Sequence, residues 1–140
     1  TKVTFPPDLQ RIGYEAFAGL SSLVEVSIPP TCQTIGEYAF SGNASLRSIT
    51  IPDSVRLLGY RVFLNCSSLQ SVSLPPTISL IGVSCFSGCS SLTSITLPTA
   101  ITDIPKSLFE DCYSLAEITI PEGVESINQS SFIIHQFSST

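Results

Sequence analysis

Residues 82–98 read GVSCFSGCSSLTSITLP, and the same pattern returns every 23 residues along the chain. Its closing Pro98 has counterparts at Pro6, Pro29, Pro52, Pro75 and Pro121. Its Phe86 returns as Phe17, Phe40, Phe63, Phe109 and Phe132, and its Leu92 as Leu23, Leu46, Leu69 and Leu115. Self-similarity at a fixed period of this length marks a solenoid, in which each coil buries its apolar face only against its neighbours. One short unit therefore accounts for nearly all of the 140 residues.

Within the unit, Ile95 and Leu97 flank Thr96, and an apolar, polar, apolar order is that of a strand with one face buried. Val3 with Phe5, Val26 with Ile28, Ile49 with Ile51, Val72 with Leu74 and Ile118 with Ile120 repeat it. The proline that follows cannot donate to a ladder and stops the strand. A second apolar alternation comes next, as in Val55 with Leu58 or Ile78 with Ile81, and usually ends at a glycine: Gly13, Gly36, Gly59 or Gly82. These glycines are expected to turn the chain at positive φ. From there, the spacing of Cys85, Phe86 and Cys89 suits a single helical or 3-10 turn.

The predicted architecture is thus of the α/β class, a right-handed solenoid of six 23-residue coils. A parallel sheet forms one face, and short strands with single helical or 3-10 turns form the other. Pro105 and Asn128 replace the corner glycine, and proline, with φ near −65°, makes the fifth corner different. One domain is expected over 1–140, with regular repeats over 3–132 and an irregular or capping tail over 133–140. In that tail His135, Phe137 and Ser138 take the slots of core or hydroxyl residues. The chain begins inside a strand without an initiator methionine, and is expected to be a fragment or processed piece.

Charged residues are only 12% of the chain, the net charge is −5 and the pI is about 4.6. The six basic residues, Lys2, Arg11, Arg47, Arg56, Arg61 and Lys106, are scattered, so no footprint for nucleic acid or anionic lipid is present. No apolar run approaches the ~20 residues that cross a bilayer, so no membrane insertion is expected. The mean hydropathy of +0.37 reflects many Ser and Thr with few charges.

All five cysteines fall in core columns. Cys66, Cys89 and Cys112 share a column with Leu20 and Asn43; Cys85 shares one with Ala16 and Ala39, and Cys32 one with Val55 and Ile78. Buried free thiols are expected, because stacked residues with parallel Cβ vectors do not suit a disulfide. Cys85 and Cys89 have a helical i, i+4 spacing but no third or fourth ligand, so no metal or other cofactor is expected. His135 is the one histidine, and the acid pairs Glu110 with Asp111 and Glu122 with Glu125 lie on turns, so no enzyme is expected. Asn43, Asn65 and Asn128 each begin a glycosylation sequon; Asn43 is expected to be structural and Asn65 to be the better acceptor.

Function is left to the surface columns. Beside the inward residues of the main strand stand Ser48, Ser71, Ser94 and Glu117, then Thr50, Ser73, Thr96 and Thr119, with Arg47, Gln70 and Thr93 in the next column out. Together with Glu25 they make a flat lattice of hydroxyls with an acid near each end. The plain alternative is that Ser and Thr merely suit exposed strand positions. Ordering of water or ice is disfavoured by Glu25 and Glu117, which interrupt the lattice. A small, neutral, aromatic-free face implies modest affinity per module and avidity through repetition.

The unit G-x-x-x-F-x-G-C-S-S-L-x-S-I-x-L-P, clearest from Gly82 to Pro98, resembles the BspA-like class of leucine-rich repeats, also called the Treponema pallidum type. The resemblance covers about residues 3–132. It implies a surface or secreted protein of mucosal bacteria, spirochaetes or parasitic protists, adhering to host or neighbouring-cell proteins without catalysis. It also implies that binding uses the parallel sheet, although the family shares a core motif rather than defined binding residues. The expectation is a non-catalytic protein-binding or adhesion module acting through the Ser/Thr face; the alternative is a structural spacer in a larger surface protein. End coils, through Val3, Phe5 or the tail, offer surfaces for self-association.

Overall fold

The computed structural model describes residues 2–133. They wind through about five turns of a parallel-strand β-solenoid. The main strands are β1 (Lys2–Val3), β3 (Glu25–Val26), β5 (Ser48–Thr50), β7 (Ser71–Ser73), β9 (Ser94–Thr96) and β11 (Glu117–Thr119). The short strands of the second alternation are β2 (Arg11–Ile12), β4 (Thr34–Ile35), β6 (Leu57–Leu58), β8 (Leu80–Ile81), β10 (Asp103–Ile104) and β12 (Ser126–Ile127). Every pairing is parallel and keeps the sequence period, as in Ser48 with Ser71, Leu57 with Leu80 and Ile95 with Ile118.

The phenylalanine column is the axis of the core. Phe40, Phe63, Phe86 and Phe109 are buried and stacked face on face, with centroids 5.8, 5.5 and 5.8 Å apart and planes within 9° of parallel. Beside them Leu46, Leu69 and Leu92 have no exposed surface. At the ends, Phe17 is only partly buried and Phe132 is 42% exposed. Each ring is covered by the coils on either side of it, so the last ring at each end lacks half its cover.

The segment between the second strand and the leucine differs from expectation. No helix forms among the described residues; two or three linked β-turns take its place. The amides of this segment alternate in what they bond. The N–H groups of Tyr38, Phe40 and Gly42 donate to Tyr60, Val62 and Leu64 of the next coil, at 3.2, 3.0 and 2.7 Å. Those in between, Ala39, Ser41 and Asn43, donate three residues back within their own coil. A helix would turn all of these groups inward along its axis, whereas stacking coils need every second one for a neighbour. This face is therefore a third ladder.

The left-handed backbone that this alternation requires is not where the corner glycines stand. It falls at Glu15, Tyr38, Arg61, Ser84, Ser107 and Ser130, with φ between 54° and 60°, and four residues later at Gly19, Gly42, Asn65, Gly88 and Asp111. Gly36, Gly59 and Gly82 serve close approach instead: a Cβ on Gly82 would lie 2.2 Å from the Tyr60 nitrogen. Their amides tie the corners together, donating to Ile12, Ile35 and Leu58 at 2.7 to 2.9 Å. Pro105 has no N–H to offer Ile81, and the second sheet is accordingly divided, β2-β4-β6-β8 on one side and β10-β12 on the other.

Candidate functional site

The expected surface residues all lie on the main-sheet side and all are exposed: Arg47, Ser48, Thr50, Gln70, Ser71, Ser73, Thr93, Ser94, Thr96, Glu117 and Thr119. Period-two alternation puts them there, since Ile49, Val72 and Ile95 between them point inward and are at most 8% exposed. The face is not a uniform lattice, however. The main strands pair as β1-β3, β5-β7 and β9-β11, with the ladder interrupted between β3 and β5 and between β7 and β9.

Each interruption opens a groove. The one between β7 and β9 has a volume of ≈ 380 Å³ and is rimmed by Ser71, Ser73, Ser94, Thr96, Glu117 and Thr119, with Val72, Leu74 and Ile95 beneath. The one between β3 and β5 has ≈ 340 Å³ and contains Glu25, Ser27, Ser48 and Thr50. Arg47, Gln70 and Thr93 are not in either groove. They stand where the strands begin, and their backbones carry a rung of their own: Gln70 N–H to Arg47 O at 2.8 Å, Thr93 N–H to Gln70 O at 3.4 Å and Ala116 N–H to Thr93 O at 3.0 Å. The longest of the three crosses the junction that opens into the larger groove. That same junction is the one at which Pro105 divides the second sheet, where a further groove of ≈ 330 Å³ holds Ser79, Asp103, Ser126 and Asn128. The Ser126 hydroxyl donates to Asp103 Oδ1 there.

Nucleophilic chemistry at the cysteines is disfavoured by their surroundings. All five are free and buried. The thiols of Cys66, Cys89 and Cys112 donate in turn to the carbonyls of Phe40, Phe63 and Phe86, at 3.1, 3.2 and 3.1 Å. Burial pushes Cys66 and Cys112 up to about 12, and holds Cys32, Cys85 and Cys89 above the usual thiol value as well. A thiol kept protonated is a poor nucleophile and a poor metal ligand. Among the described residues no three His, Cys, Asp or Glu side chains gather to hold a metal ion, and no helix is long and apolar enough to cross a membrane. His135 lies outside the described residues.

The sequons separate by environment. Asn43 is buried, and its Nδ2 donates to the carbonyls of Phe17 and Phe40 at 2.8 and 2.6 Å. Asn128 donates from Nδ2 to Ile104 O at 2.8 Å. Asn65 is exposed at positive φ, its carboxamide oxygen lying over Gly88.

A second cluster, exposed at Tyr14 and Tyr60 and half-buried at Tyr38 and Arg61, escapes a reading made one column at a time. Tyr14, Tyr38 and Tyr60 zigzag between two neighbouring columns of the turn face, edge to face with centroids 6.0 and 5.9 Å apart. Arg61 lies against the last two, with its Nη1 donating to the Tyr38 hydroxyl at 3.2 Å. Reading residues 14–15, 37–38 and 60–61 as pairs, rather than as two separate columns, is the sequence signal that would have found it.

The family model described as "BspA type Leucine rich repeat region (6 copies)" matches residues 1–82 and 42–139. A crystal structure of a leucine rich repeat protein of T. pallidum is similar at 29% identity and a TM-score of 0.77, over 90% of this chain and 72% of that one. A leucine rich cell surface protein from Faecalibacterium prausnitzii A2-165 is also 29% identical, with a TM-score of 0.87, over 94% of this chain but only 38% of its own length. No curated protein sequence matches this one. With its 23-residue period, phenylalanine spine and stacked parallel strands, the chain belongs to the BspA-type leucine-rich repeat family.

Proposed function

We propose that this chain is a non-catalytic, protein-binding adhesion module of a cell-surface or secreted protein, and that it binds through the hydroxyl-lined face of the main sheet. A repeat module for protein interaction or for structural support follows from the family itself. The single observation that carries the finer reading is the groove between β7 and β9, because it gathers six of the exposed residues around one concavity. Ser71, Ser73, Ser94, Thr96 and Thr119 supply hydroxyls that both donate and accept, and Glu117 supplies the one charge. Val72, Leu74 and Ile95 form an apolar floor. Short side chains on paired strands lose little entropy when a partner orders them. Arg47, Ser48, Thr50, Gln70 and Thr93 extend the face toward the preceding coils. The described likeness to a cell surface protein supports the location. The exposed first coil, with Val3 and Phe5 against Phe17, offers self-association a surface as well.

The test uses beads coated with the chain and applied to cell monolayers with and without prior protease treatment of the cells. Adhesion is expected to be protease-sensitive and to be lost when Ser71, Ser94 and Thr96 are all changed to Arg. Adhesion equally well supported by an unrelated solenoid of the same length would leave a spacer role instead, and undiminished adhesion of the arginine variant would move the site elsewhere.

A further inference from the structure

The turn face of the first three coils departs from the rest of the molecule. Two adjacent slots hold Tyr14 and Glu15, Glu37 and Tyr38, and Tyr60 and Arg61, whereas the following coils place Val83 and Ser84, then Lys106 and Ser107, in the same slots. The second slot of each pair is the one with left-handed backbone, a conformation unfavourable for a bulky side chain. Ser84 and Ser107 adopt it at 58°, so the fold is satisfied by a small residue, yet the early coils carry Glu15 at 54°, Tyr38 at 59° and Arg61 at 56°. Core packing does not call for these groups either, since Tyr14 is 64% and Tyr60 43% exposed. Costly residues that the scaffold can do without are candidates for function.

What they form is a checkerboard of aromatic rings and ionised groups. Glu15 follows Tyr14 directly in the chain, and the Arg61 guanidinium carbon stands 5.7 Å from the Tyr38 centroid and 5.8 Å from that of Tyr60. One of the five N–H donors of Arg61 goes to the Tyr38 hydroxyl, which orders the side chain without exhausting it. A pyranose ring has an apolar C–H face and a rim of hydroxyls that both donate and accept. The exposed rings of Tyr14 and Tyr60, with half-buried Tyr38 between them and carboxylates and a guanidinium alongside, complement both parts of it. Two carboxylates against one guanidinium, in a chain of net charge −5, oppose polyanions. A protein anchor residue would more often be held in a pocket that it fills. We propose that Tyr14, Tyr38 and Tyr60 with Glu15, Glu37 and Arg61 form a binding site for a neutral oligosaccharide. Three coils at the usual strand spacing present the patch over roughly 10 Å, about the length of two pyranose units.

The chain has no tryptophan and four tyrosines, three of them in the patch, so its intrinsic emission reports directly on it. Cellotriose, mannotriose and chitotriose are the probes, titrated by tyrosine emission and by saturation-transfer NMR from the aromatic protons. At least one is expected to give a saturable response, with transfer to its C–H protons. The variant Tyr38→Ser, Tyr60→Val and Arg61→Ser borrows residues that other coils already carry in those slots, and is expected to weaken binding about tenfold or more with an unchanged melting temperature. If that variant unfolds, Tyr60→Val alone serves, in the slot where Val83 is native. The arginine variant of the sheet face is expected to bind the sugar normally. No saturable binding of any of the three, binding undiminished in the turn-face variants, or tighter binding of a sulfated heparin fragment would each overturn the proposal.

Discussion

A single column decides how the interior is kept polar enough to close. Cys66, Cys89 and Cys112 each turn a thiol toward the carbonyl of a phenylalanine one coil before, and Asn43 does the same work with an amide that reaches two carbonyls. The Asn43 bond matters most at the Phe17 carbonyl, because a buried carbonyl left without a partner costs more than the bond itself contributes, whereas Phe40 O also accepts from the Asn43 N–H and the Cys66 thiol. Asn43→Ala should therefore cost about 1–3 kcal/mol in urea unfolding. Asn43→Cys, which copies the next three coils and removes a buried Oδ1 that has no hydrogen-bond partner, should cost clearly less. The thiols also set a pH limit. Their folded pKa values lie above the unfolded one, near 12 against 9.0 for Cys66 and Cys112, because ionisation would put a charge in the core. The unfolded chain releases these protons first as pH rises, so the contribution is intact below pH 9 and is lost between 9 and about 12. The loss should be on the order of 1 kcal/mol per thiol per pH unit, read as a falling urea midpoint above pH 9. Native protein at pH 8 should be inert to an aromatic disulfide reagent and reactive in denaturant; rapid native-state labelling would contradict the burial.

At the scale of the element, the corners and turns obey ladder bonding more than side-chain pattern. Gly82→Ala places a methyl 2.2 Å from the Tyr60 nitrogen and should cost more than about 3 kcal/mol, while Gly13→Ala meets nothing within 4 Å and should be nearly neutral. Thermal melts of the two would separate close approach from conformational freedom, since neither glycine has positive φ. Pro105→Gly should restore the donor to Ile81 and join β8 to β10, seen as slow hydrogen exchange at the new amide, with a stability change within about 1 kcal/mol because glycine adds unfolded-state entropy. These distinctions explain which parts of the molecule could be read in advance. The Phe, Leu and strand columns were legible because burial imposes residue type at every turn. The segment around Cys85, Phe86 and Cys89 has a helical spacing although it is not a helix, because linked β-turns bury the same spacing of side chains, and the alternation of amide partners leaves no mark on residue type. Positive φ is not legible at the corner glycines for a related reason: Gly36 and Gly82 are required by a neighbour's backbone, and only the slot of Gly19, Gly42 and Gly88, which also admits Asn65 and Asp111, betrays left-handed geometry. The exposed strand residues were foreseen one by one, but the grooves among them depend on where the ladder breaks, which no column records.

For the whole molecule, stability should run along the rod rather than belong to it uniformly. Each interior coil gains two interfaces and each terminal coil one, so a solenoid behaves as a chain of nearest-neighbour couplings. The spine makes the gradient visible: Phe63 and Phe86 are fully buried between parallel rings, Phe17 meets Phe5 edge-on at 5.3 Å, and Phe132 is 42% exposed. Phe63→Ala should then cost about 3–5 kcal/mol, the range for deleting a buried ring, and Phe132→Ala far less. Hydrogen exchange reads the same gradient without mutation, because the Phe40, Phe63, Phe86 and Phe109 amides all donate between coils at 2.7 to 3.1 Å and differ chiefly in how many coils cover them. Protection should peak at Phe63 and Phe86 and fall toward Phe17 and Phe109 as terminal coils open without the centre. The β7–β9 junction adds a second expectation: with the strand ladders of both sheets interrupted there, it should exchange faster at Leu74 than the paired β5–β7 step does at Ile51, whose N–H donates to Ser73 O at 2.9 Å. Equal protection at every phenylalanine, with one cooperative transition in urea, would mean that the rings couple the coils too strongly for the ends to open alone.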